Sequence, residues 1–77
     1  MKFKIITSQG VICDKEVSSA TLPGTLGEFT VLQNHAPILT SLRKGTIYIV
    51  TGEQTETIEV ETGVAEVKQN NIQVILG

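Results

Sequence analysis

The sequence predicts an all-β domain: a small antiparallel β-sandwich of two packed sheets, built from about eight to ten short strands. Three observations carry that prediction. Apolar and polar residues alternate with a period of two along most of the chain, as in Thr57-Ile58-Glu59-Val60-Glu61. Clusters of Gly, Pro and Asn interrupt the alternation every ~8–12 residues. No apolar stripe recurs at helical spacing over a useful length. The 77 residues are read as a single domain, 1–77. A chain this short buries only ~60% of the surface that its unfolded form exposes. Neither sheet alone could hide its apolar face, so the chain must fold back on itself into two layers.

The elements follow in order. Lys2 to Thr7 alternates, with Phe3 and Ile5 on one face and Ile6 as the exception, and Ser8-Gln9-Gly10 turns the chain. Val11 to Thr21 reads as the longest strand, with Val11, Cys13 and Val17 inward and Asp14, Glu16 and Ser18 outward. Lys15 interrupts that apolar face, which calls for a bulge or an edge where its stem reaches water. Pro23-Gly24 reads as a tight turn, Pro presetting φ and Gly supplying positive φ. Gly27 marks a second irregular point before a short strand from Glu28 to Leu32. Pro37 pushes Ala36 toward extended backbone, so Gln33-Asn34-His35 is a loop that re-enters a strand at Ile38.

Ile38 to Leu42 is a short strand closed by Arg43-Lys44-Gly45. Thr46 to Thr51 is apolar on both sides, as a strand buried between two layers would be. Gly52-Glu53 turns into Gln54 to Thr62, where Ile58 and Val60 face inward. Gly63 breaks that run before Val64 to Lys68. Gln69-Asn70-Asn71 is a turn in which Asn tolerates left-handed backbone. Ile72, Val74 and Leu76 end the chain as an inward row. The stretch from Thr21 to Leu39 holds both prolines and the only histidine, an ornate loop of the kind that carries function on a rigid scaffold.

Composition narrows the classes. Forty per cent apolar and 18% charged residues are ordinary for a globular protein. The net charge is −2, with no clustered cations, and the aromatics are only Phe3, Phe29 and Tyr48. A nucleic-acid partner is therefore not expected. Cys13 stands alone, which excludes a disulfide framework and a thiolate zinc site, and it reads as a small buried hydrophobe. Met-Lys-Phe-Lys is followed by too short an apolar run for a signal peptide, and nothing approaches the ~18 apolar residues of a membrane span. The expectation is a soluble protein of a reducing compartment, without membrane insertion.

Catalytic chemistry has thin support. His35 is a candidate general base and Cys13 or Ser41 a candidate nucleophile, but no spacing signature joins them. Gly24-Thr25-Leu26-Gly27 leads into a strand and not a helix, which removes the phosphate-binding reading. Glu53, Glu56, Glu59, Glu61 and Glu66 alternate with other positions as a solvated face. No cofactor and no metal are expected. A non-catalytic role is favoured, and the alternative from the residues alone is a small module binding peptide or carbohydrate through its long loop.

The run Leu22-Pro23-Gly24-Thr25-Leu26-Gly27-Glu28-Phe29, then Asn34-His35-Ala36-Pro37-Ile38-Leu39-Thr40, Gly45 and Gly63-Val64-Ala65-Glu66-Val67, resembles the epsilon subunit of the rotary F-type ATP synthase. The match is to its N-terminal β-sandwich domain. It departs from the family pattern at Thr30, Gln33, Lys44 and Val64, positions where glycine or proline is common. The resemblance implies a non-catalytic rotor subunit, peripheral to the cytoplasmic face of the inner membrane, that binds the gamma subunit and the c-ring and couples proton or sodium translocation to ATP synthesis. By motif, Thr25, Leu26, Glu28 and Phe29 would meet the c-ring loops. His35, Ala36 and Thr40 would lie toward gamma, together with an outward apolar strip. Pro23, Gly24, Gly27, Pro37, Gly45 and Gly63 would be structural turns. Most members continue into a C-terminal helical pair that brakes hydrolysis; because the sequence stops at Gly77, the expectation is the stalk-binding half without that brake and without nucleotide binding.

Overall fold

Nine strands and no helix make up the chain in a computed structural model describing residues 1–77. They are β1 (Lys2–Thr7), β2 (Gly10–Glu16), β3 (Ser19–Gly24), β4 (Gly27–Val31), β5 (Ile38–Leu42), β6 (Gly45–Thr51), β7 (Gln54–Val60), β8 (Gly63–Lys68) and β9 (Asn71–Leu76). The strands run in the order β2-β1-β9-β8-β5-β3-β6-β7, with β4 paired to β3. One curled sheet thus supplies both layers of the sandwich, β2-β1-β9-β8-β5 on one side and β4-β3-β6-β7 on the other. They join at a single pairing, Gly24 with Leu42. Every pairing is antiparallel except β1 with β9, which is parallel. The purely antiparallel expectation fails there because the first and last strands, with no hairpin between them, meet side by side.

Period-two alternation puts one face of each layer inward. Phe3 and Ile5 of β1 meet Ile72 and Val74 of β9 and Ala65 and Val67 of β8, all buried, while β3, β4 and β6 supply Ala20, Leu22, Val31, Ile47 and Ile49. Fully burying each Phe, Leu or Ile contributes about 1.5–3 kcal/mol. No polar side chain is buried, so this small core carries no desolvation cost from unpaired groups. At the far seam, where β2 and β7 end the sheet, the Lys15 ammonium reaches the Glu56 carboxylate at 2.6 Å; the Ser18 N–H, just ahead of β3, extends the β3–β6 ladder by donating to the Val50 carbonyl at 2.7 Å. No helix is long and apolar enough to cross a membrane.

Four local expectations are corrected. The run from Val11 to Thr21 is two strands in different layers, parted at Val17-Ser18. Its bulge falls at Ile12, skipped between the pairs Ile5–Cys13 and Ile6–Val11, and so Val11 faces out. Strand β6 is buried on one face only, with Ile47 and Ile49 inside and Tyr48 exposed, because nothing covers the outer side of its layer. Pro23-Gly24 is strand and not turn: the turn is Thr25-Leu26, and Gly24 lacks positive φ. Gly24, Gly45 and Gly63 are required by close approach instead. A Cβ at Gly63 would stand 2.6 Å from the Ile75 carbonyl oxygen, and one at Gly45 2.9 Å from the Pro23 ring. Gly27, at φ 138°, is the member of the predicted set that takes a left-handed-side conformation, relieving a turn whose Thr25 and Leu26 keep negative φ. Pro37 precedes β5 directly, where it starts the strand without donating to the ladder.

Candidate functional site

The β3–β4 hairpin overhangs β5, and this overhang builds a groove. Pro23 lacks an N–H and sits where β3 leaves β6 and turns to β5, its carbonyl accepting from the Arg43 N–H at 2.9 Å. The turn that follows is tied down on one side only: the Thr25 N–H donates to the Ser41 carbonyl at 3.0 Å, and the Thr25 and Ser41 hydroxyls lie 2.8 Å apart. Leu26 at the tip is 98% exposed, which is costly for a leucine that serves only its own fold. Beneath it a groove of about 340 Å³ runs between β4 and β5. Leu26, Glu28 and Phe29 line one wall; Ile38, Leu39 and Thr40 line the other. Glu28 is exposed and has no ion-pair partner.

The structure therefore brings Leu26, Glu28 and Phe29 together with Thr40, a residue expected to face elsewhere, and anchors Thr25 beside them. His35 and Ala36 lie apart, at the other end of β5. There the His35 Nδ1–H donates to the Ala36 carbonyl at 2.6 Å and the His35 N–H to the Leu32 carbonyl at 3.1 Å. The loop is clamped to the β8–β9 turn by a reciprocal pair: the Asn34 N–H donates to Asn70 Oδ1 at 2.7 Å and Asn70 Nδ2 to Asn34 Oδ1 at 3.2 Å. Cys13 is on β2, near Lys15 and Glu56, and lines neither the β4–β5 groove nor the smaller one at Pro37 and Lys68. Burial pushes its thiol pKa up, partly opposed by the Lys15 charge.

A second surface was not located by sequence. Across the outer face of the first layer, Val64, Ile75, Ile6 and Val11 occupy successive paired positions on β8, β9, β1 and β2. Val11 is 55% exposed, Ile75 49% and Val64 40%. The row abuts Ser41 on β5 and so reaches the Thr25 anchor. The next row, Glu66, Gln73, Lys4 and Asp14, is polar, and Lys2 and Asp14 lie 3.9 Å apart. The signal in the sequence was the apolar residues that break alternation, Ile6, Val64 and Ile75. Only strand order aligns them.

Residues 1–76 match the family described as ATP synthase, Delta/Epsilon chain, beta-sandwich domain. The ATP synthase epsilon chain of Campylobacter jejuni is 42% identical over 76 residues, covering 97% of this chain and 59% of that protein. That of Synechocystis is 38% identical over 73 residues, covering 95% and 54%. The chain thus spans a little over half the length of these curated relatives. Its fold also matches a chain in the Euglena gracilis mitochondrial ATP synthase (OSCP/F1/c-ring) with TM-score 0.88 at 19% identity, covering 96% of this chain and 48% of that one. A chain of the Tetrahymena thermophila central stalk/c-ring matches with TM-score 0.80 at 13% identity, covering 97% and 61%.

Proposed function

This chain belongs to the ATP synthase delta/epsilon β-sandwich family, and from that premise we propose that it is a non-catalytic rotor piece of an F-type ATP synthase, wedged between the gamma subunit and the c-ring. It works at the cytoplasmic face of the membrane as a peripheral part of the complex. It turns with the central stalk and couples ion translocation, of protons or sodium, to ATP synthesis without chemistry of its own. A two-layer sandwich with an all-apolar core suits that task, because a compliant part would dissipate torque.

The observation that carries this reading is the outward apolar row Val64–Ile75–Ile6–Val11. A continuous exposed patch of this kind on a small domain marks an interaction surface. Under this reading the row supplies the affinity for gamma, within a standard interface of roughly 800 Å² per partner. Under the same reading His35 and Ala36 ahead of β5 and Thr40 at the groove also lie toward gamma, and Thr25, Leu26, Glu28 and Phe29 form the rim toward the c-ring. Mixing the chain with the gamma subunit of a related synthase tests it. A stoichiometric complex should form on size exclusion and persist in moderate salt, since the contact is mainly apolar. Ile75→Glu should abolish it, while Thr57→Glu, on the outer face of the opposite layer, should leave it intact. Equal binding by both variants would remove the row from the interface; dissociation in moderate salt would favour a charge-driven peptide-binding module.

A further inference from the structure

The sandwich has two sides where its layers end, and they are finished differently. On the β2–β7 side the partly buried Met1, Cys13 and Ile58 pack against the core. Lys15, paired with the buried Phe3, and Glu56, paired with the buried Ile49, both take inward positions, and their ion pair spans the gap. Neither cavity of the molecule opens there. The β4–β5 side has no such closure. Gly24 pairs with Gly27 on one edge of β3 and with Leu42 on the other, which puts β4 and β5 in opposite layers. The groove between them is therefore the open mouth of the core.

Its floor is an unfinished continuation of that core. Phe29 is paired with the buried Leu22, Ile38 with the buried Val67 and Thr40 with the buried Ala65, so all three take positions between the layers. Phe29 and Ile38 pack against the core, yet each stays only half-buried. The Thr40 hydroxyl donates to the Ser41 carbonyl at 3.2 Å, so the floor offers no free hydroxyl donor. Leu26 and Leu39, the latter 72% exposed, stand on the lips. Water over such a floor finds few partners, and an apolar group that displaces it gains affinity. The lining carries one carboxylate, the unpartnered Glu28, and no cation.

From this geometry we propose that the β4–β5 groove is a socket for one large apolar side chain of a partner loop, with a Lys or Arg beside it in the partner's sequence set against Glu28. The inference rests on the reading that this rim meets a partner and adds what that partner presents. The inserted side chain completes the core from outside, as an anchor residue fills a pocket at the centre of an interface. The charge on the lip selects which anchors enter. The groove volume of about 340 Å³ falls within the range of specific binding sites.

The test follows the methyl groups of the 77-residue chain by NMR, with the peptide acetyl-Ser-Trp-Lys-Ser-amide as probe. The indole ring current should shift the Leu26, Ile38 and Leu39 methyl resonances saturably and leave Val64 and Ile75 in place. The peptide acetyl-Ser-Ser-Lys-Ser-amide keeps the charge but lacks the anchor, and should not bind. Glutamate in place of the probe's lysine should weaken binding about fivefold at low salt, and Glu28→Lys should reverse that preference. Ile75→Glu, which breaks the outward row, should bind the probe as the wild type does. No saturable shift at Leu26, Ile38 and Leu39, equal binding without the tryptophan, shifts confined to Val64 and Ile75, or a charge preference that Glu28→Lys leaves unchanged would each overturn the proposal. Formation of the gamma complex is read separately, so failure of the probe with gamma binding intact refutes the socket alone.

Discussion

The ring of Phe29 lies against the α-carbon of Gly24: a methyl group there would stand 3.0 Å from its Cε1 and 2.8 Å from the Gly27 carbonyl oxygen. The ring is one obstacle and the backbone oxygen the other. Gly24→Ala should therefore destabilise the domain by about 1–3 kcal/mol, the usual cost of overpacking. Phe29→Leu in that background should recover only part of the loss, since the carbonyl stays in place. Urea unfolding midpoints of the two variants check this, and full recovery would mean that the oxygen moves aside.

The same pair shows what sequence could and could not give. Pro-Gly between strand-like runs signals a turn on local grounds, and a turn is present, but it forms one step later, at Thr25-Leu26. Gly24 is fixed by a ring five residues away across a hairpin, a relation that no local propensity encodes. β1, β5 and β9 were legible because their inward positions keep a period of two and their ends carry turn residues. The parallel β1–β9 contact and the outward row were not, since both depend on strand order. That Leu26, Glu28 and Phe29 share a groove follows from their place on one hairpin. That Thr40 joins it, while His35 stays with Asn70, is a consequence of the hairpin's overhang.

Cys13 and Lys15 offer a titration. Burial raises the thiol pKa, Lys15 lowers it and Glu56 raises it. Alkylation by iodoacetamide at about pH 8 should be slower than for a free thiol peptide. Lys15→Met should slow it further, and Glu56→Gln should speed it. Lys15 itself is raised, chiefly by its hydrogen bond to Glu56. A cation whose folded pKa is raised stabilises below its unfolded value and loses that contribution as pH climbs through the folded one. Any stability difference between wild type and Glu56→Gln should thus be present at neutral pH and vanish above the ordinary lysine range. Identical labelling rates in all three proteins would separate Cys13 from the seam.

Glu28 touches no cation and is exposed, so removing its charge costs the fold nothing that the structure records. Glu28→Lys should unfold at the wild-type denaturant midpoint. In membranes carrying the assembled synthase it should lower ion-driven ATP synthesis, because a reversed rim charge disturbs register more than affinity. An unchanged synthesis rate would take Glu28 out of the coupling contact.

Asn34 and Asn70 hold the histidine loop to the last hairpin through two side-chain bonds, and both have left-handed backbone, at φ 65° and 60°. Substitution at Asn70 can separate these contributions. Asn70→Ala loses both bonds and also places an unfavourable residue at positive φ, a combined cost of about 1.5–3 kcal/mol. Asn70→Gly loses the bonds but not the backbone conformation, and should cost about half as much. Both variants should speed hydrogen exchange at the Asn34 and His35 amides, as the loop comes free of its clamp. If glycine proves as costly as alanine, the two side-chain bonds and not the turn conformation dominate at this corner. If neither variant changes exchange at Asn34, the clamp does not hold the loop.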